Sequence, residues 1–155
     1  MKVPNNHLLS IRQLDAKLSD LAPLGKISQP PKGWISQLRK AINMSLQQMG
    51  NRLSKTPQAI KEIERRESDE SITLKSLREA GDALNMRLVY GFVPKNGSLE
   101  QMIEDRARAL AVTIVQRTST TMKLEDQENS NSRLKQAVDE LTQDIKREMP
   151  RSLWD

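Results

Sequence analysis

The sequence predicts a mainly α-helical protein: a bundle of short helices, one short β-strand and a C-terminal helical hairpin. Three observations carry that prediction. Apolar residues recur at three- and four-residue steps over most of the chain, the period of a helix with one buried face. Two helix-start signals fall close together in SLQQMGNRLSKTPQAIKEIE, residues 45–64, so two short helices must meet there at a tight turn. One segment alone, RLVYGFVPK at 87–95, breaks the helical period with β-branched and aromatic residues and ends in lysine after a proline.

Taken in order, residues 7–22 place Leu8, Ile11, Leu14, Leu18 and Leu21 on one helical face that has to pack on something. Residues 23–33 hold three prolines and two glycines and read as an extended linker. Residues 34–44 give a helix with Ile35, Leu38 and Ile42 inward and Trp34 as a packing residue at its start.

Ser45 and Gln48 have the form of a capping box, in which the hydroxyl accepts from the third helical N–H and the amide side chain reaches back. Leu46, Met49 and Leu53 follow as the inward face, and Gly50 sits where a second helix crosses closely. After a polar break at Ser54 to Thr56, Thr56 is an N-cap and Pro57 suits the first helical position, where a missing N–H costs nothing. Ala59, Ile60 and Ile63 face inward, which leaves Gln58, Lys61, Glu62 and Arg65 outward as long polar side chains with the reach of base edges and phosphates. Arg66 lies beside them at the end of the helix.

Residues 73–86 form the next helix, with Leu74, Leu77, Ala80, Ala83 and Leu84 inward and Asn85 as its stop. A strand at 87–95 cannot satisfy its own backbone N–H and C=O groups. It therefore needs a second copy of the chain, the N-terminal arm or a partner's sheet edge, and pairing across a homodimer is favoured. Ser98 with Gln101 opens a long helix carrying Leu99, Met102, Ile103, Ala107, Leu110, Ile114, Val115 and Met122 to about residue 125. The polar run DQENSNS interrupts it. Leu134, Val138, Leu141 and Ile145 then repeat in a 4-3-4 seam, so the last two helices should close as an antiparallel hairpin. This reading divides the chain into 1–32, an N-terminal helix and linker; 33–95, the short-helix bundle with its strand; and 96–155, the hairpin.

Composition bounds the function. Aromatic residues are 3% of the chain and charged residues 29%, which favours thin helical cores completed by a partner or a second copy over an enzyme-like interior. The net charge of +5 suits a nucleic-acid partner. Absence of cysteine excludes disulfides and thiolate metal sites and fits a reducing compartment. No apolar run approaches a membrane span, and the polar opening MKVPNNHLLS does not read as a signal peptide, so a cytoplasmic location is expected. No catalytic residue, metal site or cofactor is expected. His7 is the single histidine, and there is no glycine-rich phosphate loop, metal-ligand spacing or nucleophile elbow.

The capped helix of Ser45 with Gly50 near its end, the turn at Ser54 to Thr56, and the following helix with Ile60, Ile63 and a closing Glu64 resemble the lambda/Cro-repressor-like (XRE-type) helix-turn-helix regulators. The wider sequence, ITLKSLREAGDALNMRLVYGFVPK followed by SLEQMIEDRARALA and MKLEDQ, is similar to the "mobile mystery protein A" family over roughly residues 10–155. That resemblance implies a lambda-repressor-like bundle. It also implies a small bacterial antitoxin that binds operator DNA to regulate its own operon and inhibits a Fic-domain AMP-transferase toxin encoded beside it, as a homodimer or a toxin–antitoxin hetero-oligomer.

Carried over by position, the resemblance puts Ser45, Gln47 and Gln48 near phosphate, and Lys55, Thr56, Gln58, Lys61 and Glu62 at the major groove; Arg65 and Arg66, by their own place at the helix end, are expected on phosphate. Fic inhibitory helices carry Ser or Thr, three residues, Glu, then Gly or Asn. The nearest match is Thr121 with Glu125, four apart on one helical face; Asp126 stands where Gly or Asn is the pattern, and Glu128–Asn129 matches its end with Leu124 at its start. The inhibitory glutamate is thus Glu125 or Glu128. The rival reading is a plain XRE-type repressor whose C-terminal helices only dimerise, and a bundle kept purely as scaffold is the bland one.

Overall fold

The computed structural model describes residues 6–119 and 127–155, with side chains in the second stretch from residue 131 onward. The described residues form seven α-helices: α1 His7–Leu21, α2 Trp34–Ala41, α3 Leu46–Leu53, α4 Pro57–Ser68, α5 Leu74–Ala83, α6 Leu99–Ser119 and α7 Gln127–Glu148. Short 3-10 segments follow at Ala22–Lys26 and Arg151–Trp154. They fall into two compact units, Lys26–Gly91 and Met1–Gly25 with Phe92–Asp155. Two units thus stand where three segments are expected from the sequence. In the structure, the N-terminal helix shares a unit with the C-terminal pair.

The Lys26–Gly91 unit contains α2 to α5. Its core is Ile35, Met49, Ile60, Ala80, Ala83 and Leu84, with Leu38, Met44, Leu46, Leu53, Ile63, Ile72 and Leu77 packed around it. Helices of 8, 8, 12 and 10 residues are too short to be stable alone in water, so their ends matter as much as their faces. Ser45, Thr56 and Thr73 each accept a bond from the backbone N–H three residues on. All four helices end through a residue at positive φ: Asn43 (56°), Ser54 (55°), Glu70 (62°) and Asn85 (58°). At Asn85 the N–H of Met86 reaches back to the Gly81 carbonyl at 2.8 Å, which makes the expected stop a Schellman-type cap.

In the other unit, α6 and α7 pack as an antiparallel pair, since Glu100 and Glu104 face Lys146 while Arg108 further along α6 faces the earlier Asp139. Ile103, Ala107, Ala111, Ile145 and Leu153 are its buried apolar residues. Fully covered Ala107, Ala111 and Thr142 let the two backbones approach, and Thr142 satisfies its hydroxyl on the Val138 carbonyl at 2.6 Å. Helix α1 packs on α6: the Asp15 carboxylate accepts from the N–H groups of Leu99 and Glu100 at 2.8 and 3.1 Å and so caps the α6 N-terminus from outside it.

Several expectations are corrected. Residues 87–95 form no strand; 86–94 run without helix, turn or bend, because nothing among the described residues offers them a ladder. The expected extended linker starts with the 3-10 turn Ala22–Lys26. Helix α7 begins at Gln127, inside the polar run DQENSNS expected to precede it. Trp34 keeps 42% of its surface exposed instead of packing, and Leu14, Ile42 and Leu74, expected inward, are exposed.

Candidate nucleic-acid interface

The turn between α3 and α4 is set by close backbone approach. Gly50 is buried, and the N–H of Lys55 donates to its carbonyl at 2.8 Å. A Cβ at residue 50 would stand 2.4 Å from the Lys55 carbonyl oxygen, so no larger residue fits without moving the turn. The capping box is complete: Gln48 N donates to Ser45 Oγ at 3.1 Å and Ser45 N to Gln48 Oε1 at 2.8 Å. Thr56 Oγ1 accepts from Ala59 N at 3.1 Å, with Pro57 at the first helical position.

Behind α4 lies a polar frame that periodicity did not announce. Arg39, on α2, is 8% exposed; its Nε and Nη2 donate to the two carboxylate oxygens of Glu64 at 2.5 and 3.3 Å, and its Nη1 to the Met44 carbonyl at 2.9 Å. Glu67 Oε1 accepts from Ile35 N at 2.8 Å, which caps α2 from α4. The same carboxylate fills the space beside Gly33, whose φ of +84° and missing Cβ admit it. These bonds fix the roll of α4 about its own axis.

That roll exposes one stripe. Gln58, Lys61, Glu62 and Arg65 recur at helical steps and share a face opposite the buried Ile60. Lys55, Gln58 and Lys61 are exposed, and among the described residues none of their side chains makes a hydrogen bond. Glu62 and Arg65 are already engaged with each other. Arg65 Nε and Nη2 donate to Glu62 at 2.9 and 2.6 Å and Nη1 to Asp69 at 2.5 Å, while Arg66 Nε reaches Glu62 at 3.3 Å. The Arg65 bond, with Arg66 behind it, holds the Glu62 carboxyl down at about 2, and Glu62 in turn raises the Arg65 guanidinium. The Ser71 hydroxyl, which donates to Asp69 at 2.5 Å, lowers that carboxyl too.

The nine expected contact residues therefore fall into three groups. Ser45, Gln48 and Thr56 hold helix starts; Glu62 and Arg65 form an ion pair; Gln47, Lys55, Gln58 and Lys61 are outward, with Gln47 Nε2 bonded to Asn51 Oδ1 at 2.9 Å. Asn51 was not among the expected residues; its i,i+4 spacing from Gln47 is the signal that finds it. Thr121 and Glu125 lie outside the described residues, as does the side chain of Glu128. Among the described residues no group of three or more His, Asp or Glu is placed to hold a metal ion, and no helix is long and apolar enough to cross a membrane. Comparison of the chain with models of known families, with curated proteins and with solved structures gives no match.

Proposed function

We propose that this chain is a bacterial antitoxin-type regulator: the α2–α5 unit binds operator DNA through a helix-turn-helix formed by α3 and α4, and the C-terminal region restrains a Fic-domain AMP-transferase. One observation carries the DNA reading. The α3–α4 turn is locked by Gly50 and two caps while α4 is clamped from behind by Arg39 and Glu67, so Gln58 and Lys61 stand outward on a rigid helix start. In the major groove such positions reach base edges, and the N-termini of α3 and α4 lie toward the phosphates. Gln58 reads adenine and Lys61 guanine, each worth about 1–3 kcal/mol of discrimination. A single module contacts few bases, so a unique operator should be read by two copies brought together on a two-fold site.

The toxin half rests on the family resemblance. A carboxylate of Glu125, positioned by Thr121, entering the partner's ATP site beside an arginine, blocks the γ-phosphate by sign and volume. The rival, a plain repressor, is favoured by one feature: α1, α6, α7 and the C-terminal 3-10 turn already bury a core of their own.

Two assays test the proposal. Anisotropy with the DNA upstream of the chain's own gene should show binding that Lys61→Ala weakens, with the salt slope reduced by about one; unchanged affinity removes Lys61 from the contact set. Co-expression with the product of the adjacent reading frame, where it carries H-x-F-x-x-G-N-G-R, should give a silent complex in which Glu125→Gly releases AMP transfer. Failure to associate leaves the plain repressor.

A further inference from the structure

We infer that the segment Arg87–Lys95 is a self-pairing strand, through which two copies of this chain form a two-stranded antiparallel ribbon centred on Gly91. The proposal does not rest on the antitoxin reading or on DNA binding. Its first basis is exposure. Val89, Tyr90 and Phe92 keep 64%, 61% and 85% of their surface exposed, and no backbone group of residues 87–95 is hydrogen-bonded among the described residues. Three apolar side chains within four residues of unpaired backbone form a sheet edge without a sheet.

What identifies the occupant as a second copy is the order of the residues. About Gly91 the segment is a chemical palindrome: Tyr90 mirrors Phe92, Val89 mirrors Val93, Leu88 mirrors Pro94 and Arg87 mirrors Lys95. An antiparallel pair on a two-fold axis at Gly91 puts each residue opposite its mirror, so aromatic meets aromatic and valine meets valine. The hydrogen-bonding parity also fits. With Gly91 opposite Gly91 as a hydrogen-bonded pair, Val89 and Val93 form the flanking hydrogen-bonded pairs, and Tyr90–Phe92 and Leu88–Pro94 fall in the alternate, non-bonded sites. Pro94, which has no N–H, then stands where none is needed. A slip by one residue would set one aromatic of each copy opposite Gly91 and the other opposite a valine.

Charge and solvent exposure shape the behaviour of this ribbon. Arg87 of one copy faces Lys95 of the other at each end, so the association strengthens as salt screens the two cations, the reverse of binding to a polyanion. A ribbon of only two strands leaves both of its faces to solvent, so the dimer should be concentration-dependent.

Single cysteines test the register directly, because the chain has none of its own. Gly91 has no positive φ and no atom where a Cβ would go, so Gly91→Cys costs the monomer little. Opposed hydrogen-bonded residues have Cα atoms about 5.5 Å apart, within disulfide reach. Under mild oxidation of the full chain, Gly91→Cys should cross-link into a dimer. Val89→Cys alone should not, its symmetry mate being about 14 Å away, whereas a mixture of Val89→Cys and Val93→Cys should. Light scattering should give a dimer that Gly91→Pro weakens about tenfold or more by removing the axial donors. A monomer at all concentrations overturns the inference, and so does a dimer indifferent to Gly91→Pro in which Val89→Cys cross-links as readily as Gly91→Cys. A monomer that still binds its upstream DNA would sink the ribbon and spare the helix-turn-helix.

Discussion

The two units solve the same problem, holding helices together with few aromatic residues, in opposite ways. The α6–α7 pair uses length. Helices of 21 and 22 residues meet along a seam with Ala107, Ala111 and Thr142 at the close approach, and their ion pairs Arg108–Asp139 and Lys146–Glu104 lie at the margin. The α2–α5 unit has no such length. Its helices are tied by polar groups reaching across from other elements: Arg39 to Glu64, Glu67 to the Ile35 N–H, and Arg52 to the Ala83 carbonyl at 3.2 Å. The lesson is that a short helix contributes little by its apolar face, so its orientation is set by whatever satisfies its ends.

Five experiments bear on that contrast, in falling order of effect. Glu64→Ala leaves the Arg39 guanidinium buried without its counter-charge and should cost about 3–5 kcal/mol, read as lost urea stability, with the loss in α2–α5 and the amide-exchange protection of α6–α7 retained. Replacing both partners, Arg39→Met with Glu64→Leu, should restore most of it; equal loss in the double variant would show that the pair is more than mutual neutralisation. Gly50→Ala forces a Cβ against the Lys55 carbonyl and should cost about 1–3 kcal/mol; a neutral result would mean that the turn yields freely.

Thr56→Ala removes one cap and should cost about 1 kcal/mol, most visibly as faster exchange in the first turn of α4. The smallest effect concerns Glu62. Its folded pKa of about 2 lies below the ordinary carboxylate value, so its stabilising share is present above pH about 4.5 and fades as pH falls toward 2. Because Glu62 and Arg65 are solvent-exposed, that share is small. The clearer readout is an NMR titration, in which the Glu62 midpoint should rise toward the ordinary range in Arg65→Ala.

Much of the local architecture was legible. The Ser45–Gln48 box, Thr56–Pro57 and the stop at Asn85 are signals carried within a few residues of where they act, whereas Gly50, expected to face a crossing helix, is approached by the turn backbone at Lys55. Ser54 and Glu70 were not legible as left-handed helix ends, because nothing but glycine or asparagine advertises that conformation. The strand expected at 87–95 shows the opposite failure. The β-propensity of Val89, Tyr90 and Phe92 is genuine, yet a strand exists only where a neighbouring backbone completes its ladder.

By itself, then, the sequence determined the helices, most of their caps and the outward stripe Gln58, Lys61, Glu62 and Arg65, since all of these follow from neighbours within four residues along one helix. Only the tertiary structure decided the use of each charge. Arg39 and Glu64 became a buried clamp, Asp15 a cap for a helix that starts at Leu99, and Arg65 a partner of Glu62 and Asp69, while Lys55 and Lys61 remained outward. Identical charges take different roles because desolvation and hydrogen-bond reach depend on what folding brings within about 3 Å, which the order of residues does not state.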